Sequence, residues 1–210
     1  FLIIIWKILQ GRIMIYDVVI IGAGAAGFGC ALTLASANEK FDWAKDKKYL
    51  ILDDNKSDLN AGRYFNVAGV EAGINGVDLL LKMKTQLTRY SDCELKNHTV
   101  TKIERNEAGF KIFCENNTFE AKDVVLATGM HKFDIEVNEV EVKENIFAPK
   151  PNKVLLANNN NLISKNLYVA GLASGVPSMF ACASGDGTKV ACDILKSWCG
   201  KVAIVHDVKA

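Results

Sequence analysis

The chain has 210 residues, half of them hydrophobic, and 25 basic against 24 acidic side chains give a formal charge of +1. That length allows one substantial core with at most a small annex, and the interspersed charges read as a globular rather than a disordered chain. The balanced charge gives no electrostatic reason to expect nucleic acid or an anionic membrane surface as a partner.

The first segment, "FLIIIWKILQGRIM", has an apolar part too short to span a bilayer, is interrupted by Lys7 and lacks a small-residue cleavage site. Residues 1–13 are therefore read as an upstream extension or packing arm, a route to a homo-oligomer, with the globular part beginning at Met14. Residues 15–21 read as a buried strand, and 24–37, "GAAGFGCALTLASA", as a helix rich in small residues. "KKYLILDD" (47–54) is a second strand ending in acid, 55–76 is a loop rich in Gly, Asn and Asp, and 76–90 is a helix with Leu79, Leu80, Met83 and Leu87 on its apolar face.

The period then changes. Residues 98–105, 109–116 and 118–129 alternate or run apolar between polar turns, which predicts an antiparallel meander ahead of another core strand, Val124 to Thr128. Residues 130–166 carry few signals beyond turns at Pro149, Pro151 and the Asn158–Asn161 run. "NLYVAG" (166–171) is a last core strand, and 177–198 is a long helix with Pro177 near its start.

The six cysteines, at 30, 93, 114, 182, 192 and 199, contain no CxxC pair, and with three scattered histidines they offer no metal spacing. They read as reduced thiols in a cytoplasmic protein. Cys182, close to a helix start, is weighed as a reactive thiol but read as a small core residue facing Cys30 or the sheet. His131 is read as an exposed loop histidine.

One motif carries chemistry. In "GAGAAG" (22–27) Gly22 permits the tight strand-to-helix turn, Gly24 lets a pyrophosphate approach the backbone, and Gly27 lets the helix pack on the strand, with Ala23, Ala25 and Ala26 completing the turn. The helix start supplies unpaired N–H groups and a positive dipole end. An acid at the end of the second strand, Asp53 or its neighbour Asp54, lies close to the roughly 20-residue interval at which such a residue meets a ribose. This is a dinucleotide signature. The motif alone leaves NAD(P) and FAD open.

"VVLATG", "NLYVAG" and the Pro-started helix, added to GAGAAG and the acidic strand end, resemble the FAD domain of the pyridine nucleotide–disulfide oxidoreductases, most nearly the thioredoxin reductase-like flavoproteins. The resemblance spans nearly all of residues 15–199. It implies an α/β Rossmann-like FAD/NAD(P)-binding domain over residues 14–210, with a parallel central sheet, an antiparallel meander crossover and bound FAD. It also implies that Ala127, Thr128, Gly129 and Gly171 border the cofactor, that Val100 touches adenine through its backbone, and that Arg63 approaches the pyrophosphate or flavin. Ser178, Met179 and Phe180 would lie beside the isoalloxazine.

Three departures qualify it. Residues 130–166 are too few for the family's NADPH domain, the redox CxxC is missing, and Leu172 stands where the family carries a ribityl-binding Asp, with Asp186 too far along the helix to replace it. The expectation is an FAD-dependent oxidoreductase with no catalytic residue assigned, reduced by an electron-donor protein or a directly docking free reductant. A non-catalytic FAD-binding subunit or sensor is the alternative, and a single-unit NAD(P) protein a third.

Overall fold

The computed structural model describes residues 14–205, so the reading of residues 1–13 lies outside the described residues. In chain order the elements are β1 (Ile15–Ile21), α1 (Ala25–Lys40), β2 (Tyr49–Asp53), a 3-10 turn (Asp58–Ala61), β3 (Arg63–Tyr64), β4 (Ile74–Asn75) and α2 (Gly76–Leu87). There follow β5 (Cys93–Asn97), β6 (Val100–Asn106), β7 (Gly109–Cys114), β8 (Thr118–Leu126), β9 (Val142–Glu144), β10 (Val154–Leu156), β11 (Leu162–Ser164), β12 (Leu167–Val169), a second 3-10 turn (Gly171–Ser174) and α3 (Phe180–Cys199).

The main sheet runs β11-β12-β8-β1-β2-β5, and β12, β8, β1, β2 and β5 are mutually parallel. β8 serves two layers. Its first residues pair antiparallel with β7, while Val124 to Leu126 pair with β12 on one side and β1 on the other. The expected meander and core strand are thus one strand, because the backbone stays extended as its burial changes from half-exposed to complete.

Alternation along the sheet separates two cores. Val18, Ile20, Tyr49, Ile51 and Val125 face the helices, whereas Val19, Ile21, Leu50, Leu52, Val124 and Leu126 face the β6–β8 meander. The result is three layers: helices, parallel sheet, antiparallel meander. α1 and α3 meet closely through small residues. A Cβ on Gly29 would fall 2.3 Å from the Ser184 carbonyl oxygen, and one on Gly187 1.9 Å from that of Ala26. Among the described residues no helix is long and apolar enough to cross a membrane.

Three sequence expectations shift. The last helix begins at Phe180 rather than 177, because Met179 is extended (φ −132°, ψ 141°) and its N–H turns back to the Pro177 carbonyl. β5 escaped notice because "CELKN" is polar and only its first residue is buried. Residues 130–166 are more ordered than their turn residues predict: β9 and β10 form a hairpin, and β11 pairs antiparallel with β12.

The amino-terminal edge of the parallel strands holds a polar cluster. Asp17 accepts from Lys122 Nζ (2.9 Å), Lys48 N (2.9 Å) and Lys47 Nζ (3.1 Å). Burial raises its pKa, but these donors outweigh it and leave the carboxyl below its ordinary range. Asp123, 3% exposed, has fewer compensations. Burial pushes it up to about 6, against a hydrogen bond from Trp198 Nε1 at 3.3 Å. Above that pH the folded chain carries the charge in a dry site and the unfolded chain carries it in water. Asp123 therefore lowers stability progressively as pH rises from about 4 to about 6. Asp123→Asn, which keeps an acceptor for the indole, is expected to raise stability at pH 7.5 by on the order of 2–3 kcal/mol. The gain should disappear at pH 4, as read by thermal melts at both pH values.

Candidate functional site

At the opposite, carboxyl edge β1 ends at Ile21 and the chain turns through Gly22, whose φ is +104° and whose N–H donates to Leu52 O at 2.8 Å. A Cβ here would lie 2.4 Å from the Ala127 carbonyl oxygen, and one on Gly27 would lie 1.9 Å from that of Gly22. The chain's own packing demands both glycines. Gly24 is different. Its backbone is ordinary (φ −87°), and the nearest atom to an added Cβ is Ser57 Oγ, 3.6 Å away. Nothing among the described residues requires glycine at this position.

Gly24 is the N-cap of α1, which has no side-chain cap and no acid in its first turn. α2 shows the ordinary alternative: Asn75 Oδ1 accepts from Asp78 N at 2.8 Å. The amides from Ala25 to Gly27 thus keep the donors and the positive end that suit an anion. Asp53 faces this turn. It is buried, Oδ1 accepting from Ala23 N at 2.9 Å and Oδ2 from Asn55 N at 3.2 Å. Asp54 points to solvent and pairs with Lys56 at 3.4 Å. A cleft of about 240 Å³ opens here, lined by Ala23, Asp53, Asn55, Ser57, Val77 and Leu81 among others.

The second half of the chain supplies the other wall. Ala127 N–H donates to Ile21 O at 2.8 Å, which holds the end of β8 against β1. Thr128 Oγ1 is buried and has no hydrogen-bond partner among the described residues. Gly129, at φ +72°, has only Asp58 Oδ2 within 4 Å of an added Cβ, at 3.7 Å. Gly171, at φ +80°, sits so close to α1 that a Cβ would lie 2.7 Å from Ala26 Cβ. Half-buried Leu172 follows, its carbonyl accepting from Asn145 Nδ2 at 3.1 Å. Ser178 and Met179 are exposed ahead of α3, and the Phe180 ring lies 6.3 Å from that of Tyr64. α3, like α1, lacks a side-chain cap and a first-turn acid. Its N-terminus opens at the same sheet edge, because β12 and β1 are both parallel to β8.

The remaining candidates divide. Val100 is buried among the meander residues, and the adjoining loop reaches the second strand through His98 N and Asp53 O at 3.0 Å. Arg63 is exposed on the small β3–β4 ribbon. His131 is exposed as expected, but it also joins two loops: Nε2 lies 3.1 Å from Asp58 Oδ1 and Nδ1 2.7 Å from Lys153 Nζ. Cys182 is half-buried, and the thiols that act electrostatically on buried Cys30 are those of Cys93 and Cys192. Burial pushes Cys30 far up and Cys93 up to about 12, so neither is a thiolate at neutral pH. Among the described residues no cluster of His, Cys, Asp or Glu is arranged to hold a metal ion. Sequence reasoning passed over Ser57, Asp58, Asn145, Asn158 and Asn161, which it read only as loop residues.

A mostly parallel sheet with a glycine turn at its switch point, an acid ending β2 and an antiparallel third layer defines a Rossmann-like FAD/NAD(P)-binding fold. Residues 16–171 match the pyridine nucleotide-disulphide oxidoreductase family, and the chain belongs to it. A ferredoxin–NADP reductase of Levilactobacillus brevis is 30% identical over 122 residues, 56% of this chain and 35% of that protein. The chain thus spans about a third of the length of this curated relative (35%). A thioredoxin reductase from Gloeobacter violaceus superposes with a TM-score of 0.72 at 16% identity, over 93% of this chain and 99% of that one. A ferredoxin-flavin thioredoxin reductase from Clostridium acetobutylicum gives 0.66 at 17%, over 88% and 97%. At these identities the two structures establish the shared fold.

The glycines separate fold from site. Gly22→Val and Gly27→Val are expected to destabilise the chain by about 3 kcal/mol or more, since each drives a side chain into a carbonyl. Gly24→Val should change the thermal midpoint by only a few degrees, a contrast that parallel melts of the three variants would read.

Proposed function

We propose that this chain is an FAD-binding oxidoreductase domain of the thioredoxin reductase-like type. The observation that carries the proposal is Gly24, a glycine the chain does not need for its own packing, at the uncapped start of α1. The donor set fits FAD. Amides of Ala25, Ala26 and Gly27 meet the pyrophosphate, Asp53 accepts from the adenosine ribose, and the unpartnered Thr128 hydroxyl gains an acceptor. Ala23, Ala127, Gly129 and Gly171 form close walls. Val100 contributes backbone near adenine, and Arg63, Leu172, Ser178, Met179 and Phe180 border the flavin half, with Asp54 outside at the solvent rim.

Bound flavin would supply reversible two-electron chemistry. The chain's part is orientation and electrostatics. α1 holds the phosphates, and the uncapped start of α3 offers backbone N–H groups and a positive dipole end to negative charge developing beside it. The sequence has no CxxC pair, and Cys30 and Cys93 are held protonated by burial, which argues against a redox dithiol of the thioredoxin reductase kind. Residues 130–166 form a hairpin and one edge strand rather than a second nucleotide-binding unit. Electrons therefore enter from a donor protein or a reductant that docks over the flavin, in a cytoplasmic setting. A non-catalytic FAD module is the second reading, favoured by the same absence of a CxxC pair.

Purified protein should carry a flavin absorbance spectrum, and Gly24→Val should abolish it while remaining folded. A folded Gly24→Val protein of unchanged FAD affinity would refute the placement. In anaerobic stopped-flow absorbance, dithionite should bleach the bound flavin, whereas free NADPH should do so slowly or not at all. Rapid, saturable bleaching by NADPH would show that nicotinamide docks directly and would overturn the partner-dependent mode.

A further inference from the structure

Asp186 lies on α3 and is 9% exposed, and among the described residues every hydrogen bond it accepts comes from a neutral group. Gly171 N–H donates to Oδ2 at 2.7 Å, and Ser174 Oγ donates to the same oxygen at 2.7 Å. Asn161 Nδ2 lies 2.9 Å from both oxygens. Lys189 is close, but its ammonium is directed to Asn161 Oδ1 at 3.0 Å and Asp193 Oδ2 at 2.9 Å. The sequence reading set Asp186 aside as too far along the helix. Its carboxylate nonetheless grips the residues on both sides of Leu172.

The gripped turn is tightly constrained. It begins at Gly171 and ends at Gly175, both with positive φ, and Gly171 rests on Ala26 in the first turn of α1. Two further asparagines hold it from the other side, Asn145 at the Leu172 carbonyl (3.1 Å) and Asn158 at the Ser174 carbonyl (3.2 Å). Burying a carboxylate is costly and apolar packing could anchor a turn more cheaply. What the carboxylate adds is direction and charge, on the second turn of α3 and, through Gly171, next to the first turn of α1.

We propose that Asp186 is a positioning residue of the cofactor site, fixing the Gly171–Gly175 turn against α1 and offsetting part of the positive potential of the two helix ends. This rests on the FAD reading above. Asp186→Asn removes the charge and turns an amide donor toward groups that themselves donate.

In the full chain, Asp186→Asn is expected to weaken FAD binding at least tenfold, by flavin fluorescence titration, and to move the bound flavin's midpoint potential in the positive direction. Amide exchange at Gly171 should accelerate, while the thermal midpoint of the cofactor-free protein stays within a few degrees. FAD affinity within twofold of wild type at an unchanged potential would overturn the proposal. Wild-type protein that binds no FAD would instead bring down the functional reading itself, and this inference with it. If Asp186→Asn does not fold, Ser174→Ala decides, since it removes one hydroxyl from the same carboxylate. A threefold or greater loss of affinity supports the role, and an unchanged affinity overturns it.

Discussion

Everything at the carboxyl edge depends on how closely the chain passes itself where β1 meets β8. Gly22 crosses the Ala127 carbonyl with no room for a side chain, and the Ala127 amide bonds back to Ile21. That contact lies between the two strands where connections diverge, β1 leading through α1 toward β2 on one side and β8 lying toward β12 on the other. It holds the start of α1, Asp53 and Thr128 around one crevice. The same economy recurs where Gly29 and Gly187 let α1 and α3 touch backbone to backbone, which keeps both helix starts at one level.

Much of this was legible before any coordinates. Strand–glycine–helix–acid is a local pattern with fixed spacing, so β1, α1 and β2 followed within a few residues, and the meander announced itself by a change of period. The choice between Asp53 and Asp54 was not legible, because adjacent acids look alike until a backbone amide selects one, here that of Ala23. The start of α3 was misplaced since Pro177 is a good helix opener by propensity, whereas the actual opening is set by a turn inside residues 177–179.

The asparagines were the least legible. A run of Asn reads as turn, and Asn160 and Asn161 do adopt positive φ. Asn161 is nevertheless buried, and both ends of its amide are used, at Asp186 and at the Val169 carbonyl on one end and by Lys189 on the other. Asn145 is buried likewise, accepting from Phe147 N and donating to Leu172 O. Their partners lie far along the chain, and no local spacing encodes such pairings. Residues 130–166 thus brace the turn ahead of α3 as well as connecting two strands.

That segment also has a mechanical property. Val154 N–H donates to Met130 O at 2.8 Å and ties together the two ends of the stretch between them, while its middle runs along β6, where Glu136 O accepts from Ile103 N at 2.9 Å and Glu136 N donates to Thr101 O at 3.0 Å. Closing a flexible loop costs an entropy that grows only logarithmically with length, so the length of this stretch weighs little; what it adds is cover, Phe133, Ile135, Val137 and Val140 packing on the meander core. Exchanging it, during divergence or by engineering, would cost that packing, the paired bonds of Arg105 with Glu139 at 2.7 Å and the brace of Asn145 on Leu172.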